Sequence, residues 1–271
     1  MPELPEVETT RRGIEPHIAG KKVRSLTVRQ SSLRWPIPKN LADSIVNKKL
    51  LDVSRRGKYL LLRFSNGHLI IHLGMSGSLR IVKESDAPQK HDHVDIVFSK
   101  QYCLRFHDPR RFGAVLWSSE DIAEHKLLKN LGPEPLSDNF NSDYLFLKSR
   151  KRSKDIKTFI MDANIVVGVG NIYANEALFS AGIRPTRAAG KVTKKQFELL
   201  VSEIKIVLKR SITQGGTTLR DFVGGDGKPG YFVQQLNVYG RAGLACKQCE
   251  KTLKLIRQAQ RATVYCPACQ S

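Results

Sequence analysis

The chain begins Met1-Pro2-Glu3-Leu4-Pro5-Glu6, and this short run holds the residue types from which covalent chemistry could be built. Methionine is normally trimmed before a small second residue. Its removal would leave Pro2 as a terminal secondary amine, with an α-amino pKa near ~7.7 to 8, partly unprotonated at neutral pH and able to attack an electrophilic carbon. Glu3 and Glu6 lie beside it, one able to shuttle protons and the other to hold charge in place. The same residues also suit an ordinary helix start, with Pro5 in the first turn and the acids favouring the dipole. While Met1 is attached the amine is masked as an amide, so its cleavage is a condition on the chemistry.

The second set of chemically able residues closes the chain. Cys246-x2-Cys249, sixteen intervening residues and Cys266-x2-Cys269 give the spacing of a four-thiolate zinc site made of two knuckles. Thiolates fill all four corners and leave no position for water, so the expected zinc is structural. Between the knuckles, Thr252 to Tyr265 alternates like a hairpin with Ala259, Gln260 and Arg261 near its tip. Lys251, Lys254, Arg257 and Arg261 face only Glu250 in this loop, which suits a probe for a nucleic-acid groove or a solvated ribbon for protein contacts. Cys103 lies in an apolar strand and reads as core.

Other polar groups are less specific. Gly168-Val169-Gly170-Asn171 sits between two expected helices, as a plain turn or as a phosphate site at a helix start. Lys148 to Lys157 holds six basic residues and one acid, the pattern of a solvated face or a phosphate-binding one. Lys58 precedes an apolar strand. His91 and His93 lack a third ligand and do not read as a metal pair. Asp108-Pro109-Arg110-Arg111-Phe112 is a turn with two guanidinium groups and a ring, able to wedge between bases or simply to cap a strand.

These residues need elements to position them. Short β-rich segments at Lys22–Val28, Tyr59–Phe64, His68–Leu73, Ser78–Val82, Val94–Phe98, Cys103–His107 and Gly113–Trp117, with a Ser65-Asn66-Gly67 hairpin turn, predict a β-sandwich or barrel over roughly residues 1 to 130. A short helix over Glu6–Ile14 precedes them, weakened at its end by Gly13 and Pro16. After a Pro/Gly hinge, Leu131 to Pro135, helices are expected near Asp143–Lys148, Lys154–Asp162, Ile172–Ala181 and Lys194–Gln214. The last carries the apolar stripe Phe197, Leu200, Val201, Ile204, Val207 and Leu208.

Composition bounds the function class. Forty-five Lys and Arg against 25 Asp and Glu give a formal charge of +20, far beyond the needs of solubility and pointing to a polyanionic partner. The first twenty residues are charged and lack a signal-peptide core, and no apolar run approaches the ~18 residues of a membrane span. Four of five cysteines crowd into the last 26 residues, against a secreted disulfide framework and for a reducing compartment.

With the Pro2-Glu3 start, the Gly168-x-Gly170-Asn171 turn and the four-cysteine tail in this order, the chain resembles, over its whole length, the bacterial formamidopyrimidine-DNA glycosylases, repair enzymes for oxidised purines. The resemblance implies an α+β fold: an N-terminal β-sandwich with an N-terminal helix, then a helical domain with a helix-two-turns-helix motif and a zinc finger, DNA lying in the cleft between. The implied boundaries are 1–131 for the catalytic sandwich, 132–147 for a linker, 148–234 for the helical domain and 235–271 for the zinc finger.

The resemblance also implies roles. Pro2 becomes the nucleophile on C1′ of the damaged nucleoside and Glu3 its acid/base partner, supported by Glu6. Lys58 contacts phosphate and assists proton transfer, and Arg261 grips phosphates beside the lesion and takes part in the second elimination. His91, Arg110, Lys157 and Asn171 hold the backbone near the flipped nucleotide, and Arg152 keeps a phosphate-binding position often occupied by lysine. Met75, Arg110 and Phe112 fill the gap left in the stack, and Thr217 to Phe222 covers the extruded base. Thr158, where proline is common, puts the start of its helix in doubt.

The implied activity is that of a bifunctional glycosylase and AP lyase. It excises 8-oxoguanine and formamidopyrimidines through an N-terminal proline iminium, followed by β- and δ-elimination in base excision repair. One structural Zn2+ per chain and no organic cofactor are expected. The expected partner is damaged double-stranded DNA, with no membrane, for a monomer in the bacterial cytoplasm associated with the nucleoid by DNA binding. The rivals are an oxidised-pyrimidine glycosylase of the endonuclease VIII kind and a non-enzymatic zinc-finger DNA-binding protein. Leu4, where endonuclease VIII usually has glycine, and the separated Met75 and Arg110-x-Phe112 elements oppose the first. Retention of Pro2 and Glu3 opposes the second.

Overall fold

A computed structural model describes residues 2–99, 102–216 and 235–271. The described residues form two compact units, residues 2–129 with 214–216 and residues 130–213 with 235–271.

The first unit is built on hydrophobic alternation. It contains α1 (Leu4–Ile18), β1 (Val23–Val28), α2 (Leu41–Ile45), β2 (Asp52–Arg56), β3 (Tyr59–Phe64), β4 (Gly67–His72), β5 (Ser78–Lys83), β6 (Asp92–Phe98), β7 (Tyr102–His107) and β8 (Ala114–Ser118). Two antiparallel four-stranded sheets, ordered β1-β6-β7-β5 and β2-β3-β4-β8, share one core. Leu60, Leu62, Leu69 and Ile71 of one sheet join Val94, Ile96, Leu104 and Phe106 of the other, with Val7, Ile14 and Ile18 of α1. The Ser65-Asn66 turn closes the β3–β4 hairpin with Phe64 opposite Gly67, as the Asn-Gly signal predicts.

Helix α1 runs four residues past the expected end. Gly13 and Pro16 together cost about 4 kcal/mol of helix propensity. Ile14 and Ile18 are both fully buried, each contributing roughly 1.5–3 kcal/mol, which offsets that loss. Strand β2 was not anticipated because Asp52-Val53-Ser54-Arg55-Arg56 is charged. It pairs along its length with β3, and its arginines serve the site described below.

The second unit contains α3 (Ser142–Ser149), α4 (Ile156–Ile160), α5 (Asn171–Ser180), α6 (Lys194–Thr213), β9 (Lys254–Gln258) and β10 (Arg261–Tyr265). The stripe of α6 buries Phe197, Leu200, Val201, Ile204 and Leu208, and the Tyr173 hydroxyl meets Ser211 Oγ at 2.6 Å to join α5 to α6. The stretch read as a hinge and linker is anchored in this unit. Gly132 N–H donates to Ala163 O, Val167 N–H to Pro133 O, and Phe140 and Leu145 are fully buried. Proline and glycine there shape a fixed connection to the 163–167 loop. Among the described residues no helix is long and apolar enough to cross a membrane.

Candidate functional site

Pro2 and Glu3 are both buried at the start of α1. Glu3 is the N-cap of a reciprocal capping box: its side chain accepts from the Glu6 backbone, and its own N–H donates to Glu6 Oε2 at 2.8 Å. Two helix-end donors are thereby satisfied, and both carboxylates are held beside Pro2. Gly216, at φ 83°, passes so close that a Cβ there would lie 3.2 Å from Glu6 Oε1.

One turn along α1, Glu8 ties the helix to the turn that presents Lys58. It accepts from Arg11, Arg12 and Arg55, and Arg55 donates in turn to Gly57 O at 2.9 Å. Burial raises the Glu8 pKa, but the three arginines outweigh it and hold the carboxyl at about 2. Gly57, at φ 58°, makes the β2–β3 turn, and Lys58 follows, half-buried. Across the hairpin from Tyr59 stands His72, which sequence reading did not single out. Burial, reinforced by the Lys58 and Arg34 cations, pushes its pKa down to about 4. The ring is therefore neutral at pH 7, with Nδ1 accepting from Gly74 N–H at 2.9 Å.

His72, Arg34, Gly74, Met75 and Phe112 line one cleft of this unit. Met75 and Phe112 are exposed, unusual for such side chains, and the Arg110 guanidinium stacks 4.9 Å from the Phe112 ring centre. The gap-filling trio expected from sequence thus converges on neighbouring loops. His91, at φ 75°, lies 6.1 Å from both His93 and His107, ring centre to ring centre. His93 Nε2 meets Asp108 O at 2.8 Å.

In the second unit, the zinc hairpin is held by main-chain contacts. Asn171, the first residue of α5, donates to Ala262 O at 3.1 Å, and Asn175 Oδ1 accepts from Val264 N–H at 2.9 Å. Glu176 accepts from the N–H groups of Asn237, Val238 and Tyr239. Burial lifts its pKa above the ordinary carboxylate range while those three donors pull it down. Gly168, at φ 81°, supplies the left-handed turn before α5.

Lys157 departs from the expected phosphate contact. It is 1% exposed, and its Nζ donates to Ala262 O at 3.0 Å and Thr263 Oγ1 at 2.6 Å. Here the ammonium anchors β10, leaving exposed Arg261 at the strand's start beside a cleft lined by Lys154, Lys157, Gln258 and Ala259. Arg152 is exposed in a neighbouring basic pocket with Lys151 and Lys154. Thr158 does not disturb the start of α4, because its N–H, which proline would lack, donates to the Asp155 cap at 2.8 Å. The Thr217–Phe222 loop lies outside the described residues.

The four tail cysteines place their Sγ atoms within 4.8 Å of one another, with Cys246–Cys269 at 3.9 Å and Cys249–Cys266 at 3.4 Å. A tetrahedral Zn2+ with ~2.3 Å bonds needs sulfur separations of about 3.8 Å, so the set fits one closed structural zinc. Among the described residues it is the one group of three or more His, Cys, Asp or Glu able to hold a metal.

Family models match this arrangement in order. Residues 1–115 match the formamidopyrimidine-DNA glycosylase N-terminal domain, 131–223 its H2TH domain, and 243–271 the zinc finger found in FPG and IleRS. The formamidopyrimidine-DNA glycosylase of Saccharophagus degradans is 66% identical over 270 residues, covering all of both chains. The FPG (MutM) protein of Thermus thermophilus superimposes with a TM-score of 0.89 at 36% identity, over 99% of this chain and 98% of that one. The Lactococcus lactis FPG, solved with DNA containing Fapy-dG, gives 0.91 at 33%, over 99% of each. Buried Pro2 beside the Glu3–Glu6 capping box, exposed Met75 and Phe112 and the four-cysteine tail, matched end to end by such relatives, place the chain in the formamidopyrimidine-DNA glycosylase family.

Proposed function

We propose that this protein excises oxidised purines, 8-oxoguanine and formamidopyrimidines, from duplex DNA and then cleaves the strand at the emptied site, in base excision repair. The observation that carries the reading is the burial of Pro2 and Glu3 inside the capping box of α1. Carboxylates are rarely buried unless paired, and here the pairing sets two of them beside the residue whose nitrogen would attack. Membership of the family and the Fapy-dG complex of its L. lactis member support the substrate class.

In this reading, loss of Met1 frees the Pro2 nitrogen, whose lone pair forms a bond to C1′ as the glycosidic bond breaks and the base leaves with a proton. Glu3, beside the nitrogen, protonates the sugar ring oxygen, the ring opens, and an iminium links Pro2 to C1′. The iminium acidifies the C2′ hydrogen, so its loss expels the 3′ phosphate and a second elimination expels the 5′ phosphate. Water then returns the amine. Lys58 and Arg261 serve phosphates and proton transfer, with His91, Arg110, Arg152 and Asn171 on the backbone. Lys157 keeps Arg261 in place rather than meeting a phosphate itself. Met75, Arg110 and Phe112 replace the stacking that extrusion of the base forfeits. The zinc site holds the ribbon that presents Arg261 and itself takes no part in bond making. A bacterial cytoplasmic location, beside the nucleoid through DNA, and action as a monomer belong to the same proposal.

Borohydride reduction during reaction with an 8-oxoguanine duplex tests it. A protein–DNA adduct mapping to residue 2 is the expected result, and Pro2→Gly should react more slowly through its primary amine. An adduct on Lys58 or Lys157 overturns the assignment, and faster turnover of an oxidised-pyrimidine duplex favours the endonuclease VIII-like rival.

A further inference from the structure

We propose that Asp108 is the positioning residue that sets in register the loops carrying Met75, His91 and the Arg110–Phe112 pair, so that the gap-filling side chains enter the duplex as one unit. The inference rests on the gap-filling reading of Met75, Arg110 and Phe112 given above.

Asp108 is fully buried, and its polar atoms are bonded to three parts of this surface. Carboxylate Oδ2 accepts from Gly113 N–H at 2.7 Å and Oδ1 from the Ser76 hydroxyl at 3.2 Å. Its carbonyl meets His93 Nε2 at 2.8 Å and accepts from Arg111 N–H at 3.2 Å, while its own N–H donates to His91 O at 3.0 Å. The Gly113 bond closes the 108–113 loop that bears Arg110 and Phe112. The Ser76 bond holds the neighbour of Met75, and the two histidine bonds hold the start of β6. An Asp-Pro turn serving only its own loop would need the Gly113 bond alone.

Glycines let these loops meet at backbone distance. At Gly74, φ 66°, a Cβ would fall 2.4 Å from the Phe112 carbonyl carbon, and at Gly113 one would fall 3.0 Å from Asp108 Oδ2 and 2.8 Å from His72 O. Arg111 adopts φ 55°, which sends Arg110 and Phe112 outward while the loop ends stay pinned. A displacement at any one tether is therefore passed to the others, because close-packed backbone has no slack to absorb it.

The test uses the full chain with two substrates. One is an 8-oxoguanine duplex carrying a fluorescent adenine analogue beside the lesion, which reports insertion. The other is a single strand with an abasic site, which has no stack to fill. Asp108→Ala should slow the fluorescence change and lower kcat/KM on the duplex about tenfold, equivalent to about 1.4 kcal/mol, yet leave single-strand cleavage unchanged. Asp108→Asn should restore the duplex reaction, because the amide oxygen still accepts from Gly113 and its NH2 can donate to Ser76 Oγ. Ser76→Ala, which cuts one tether, should cost roughly two- to threefold on the duplex alone, and it decides the matter should Asp108→Ala not fold. Equal losses on both substrates, or no loss on the duplex, overturn the proposal.

Amide hydrogen exchange separates loss of loop register from loss of gap filling. Loss of the carboxylate should speed exchange in residues 74–77 and 108–113 together, and unchanged exchange in 74–77 overturns the register claim. Joint loosening together with inert Met75→Ala and Phe112→Ala variants would instead refute the gap-filling reading beneath it.

Discussion

Two titrating groups flank the Lys58 turn and answer to acid in different windows. His72 has its folded pKa depressed to about 4 by burial, with Lys58 and Arg34 adding to it, against ~6.5 for an unfolded histidine. The unfolded chain binds the extra proton between those values, so stability contributed by the neutral ring is present above pH ~6.5 and is lost as pH falls towards 4, by at most about 3 kcal/mol. Glu8, held at about 2, keeps its contribution until pH drops below ~4.5. Thermal melting between pH 7 and 4 should therefore show a drop that His72→Asn flattens, since the amide oxygen can replace Nδ1 as acceptor for Gly74. An unchanged slope in that variant would assign the acid sensitivity elsewhere. Neither residue announces itself in the sequence. A histidine at a strand end and a glutamate among arginines are common, and only the hairpin register and the Arg55–Gly57 bond reveal what they hold.

Among the elements, the zinc ribbon is the most self-contained test of cause. Chelation of the metal should expose four thiols to a colorimetric reagent, melt residues 243–271 and weaken damaged-DNA binding. Cys103, whose thiol is pushed up to about 12 chiefly by burial, should stay unreactive, and the sandwich should keep its melting transition. Retained activity in a metal-free protein would refute the ribbon's role. This element and the β3–β4 hairpin were legible because their signals are local: ligand spacing in one, Asn-Gly between alternating apolar residues in the other. Helix α1 beyond Ile14, charged strand β2 and the anchored 132–147 segment were not, because each is decided by burial against distant residues. The same holds at the site. The four cysteines could be brought together from spacing, whereas the inward turn of Lys157 depends on β10, more than a hundred residues away.

For the whole molecule, the share of the +20 charge that meets phosphates sets how binding responds to salt. If about six phosphates are neutralised, log affinity should fall against log salt with a slope near −5. Arg261→Ala should lower that slope by about one unit. Lys157→Met should leave it unchanged while still impairing processing, because its ammonium is spent on Ala262 and Thr263. Equal slope changes in the two variants would return Lys157 to the phosphate surface. The contacts that Asn171 and Asn175 make with the hairpin, and Glu176 with residues 237–239, reach peptide groups rather than side chains. The Asn171 bond does not depend on which amino acid occupies exposed Ala262, whereas Val238 and Val264 also pack in the ribbon's core with Phe179 and Leu253. Mutation at exposed ribbon positions such as Arg257, Arg261 and Ala262 can therefore rewrite what the ribbon displays without loosening its seat, so new sequence preferences can evolve there at little risk to the fold.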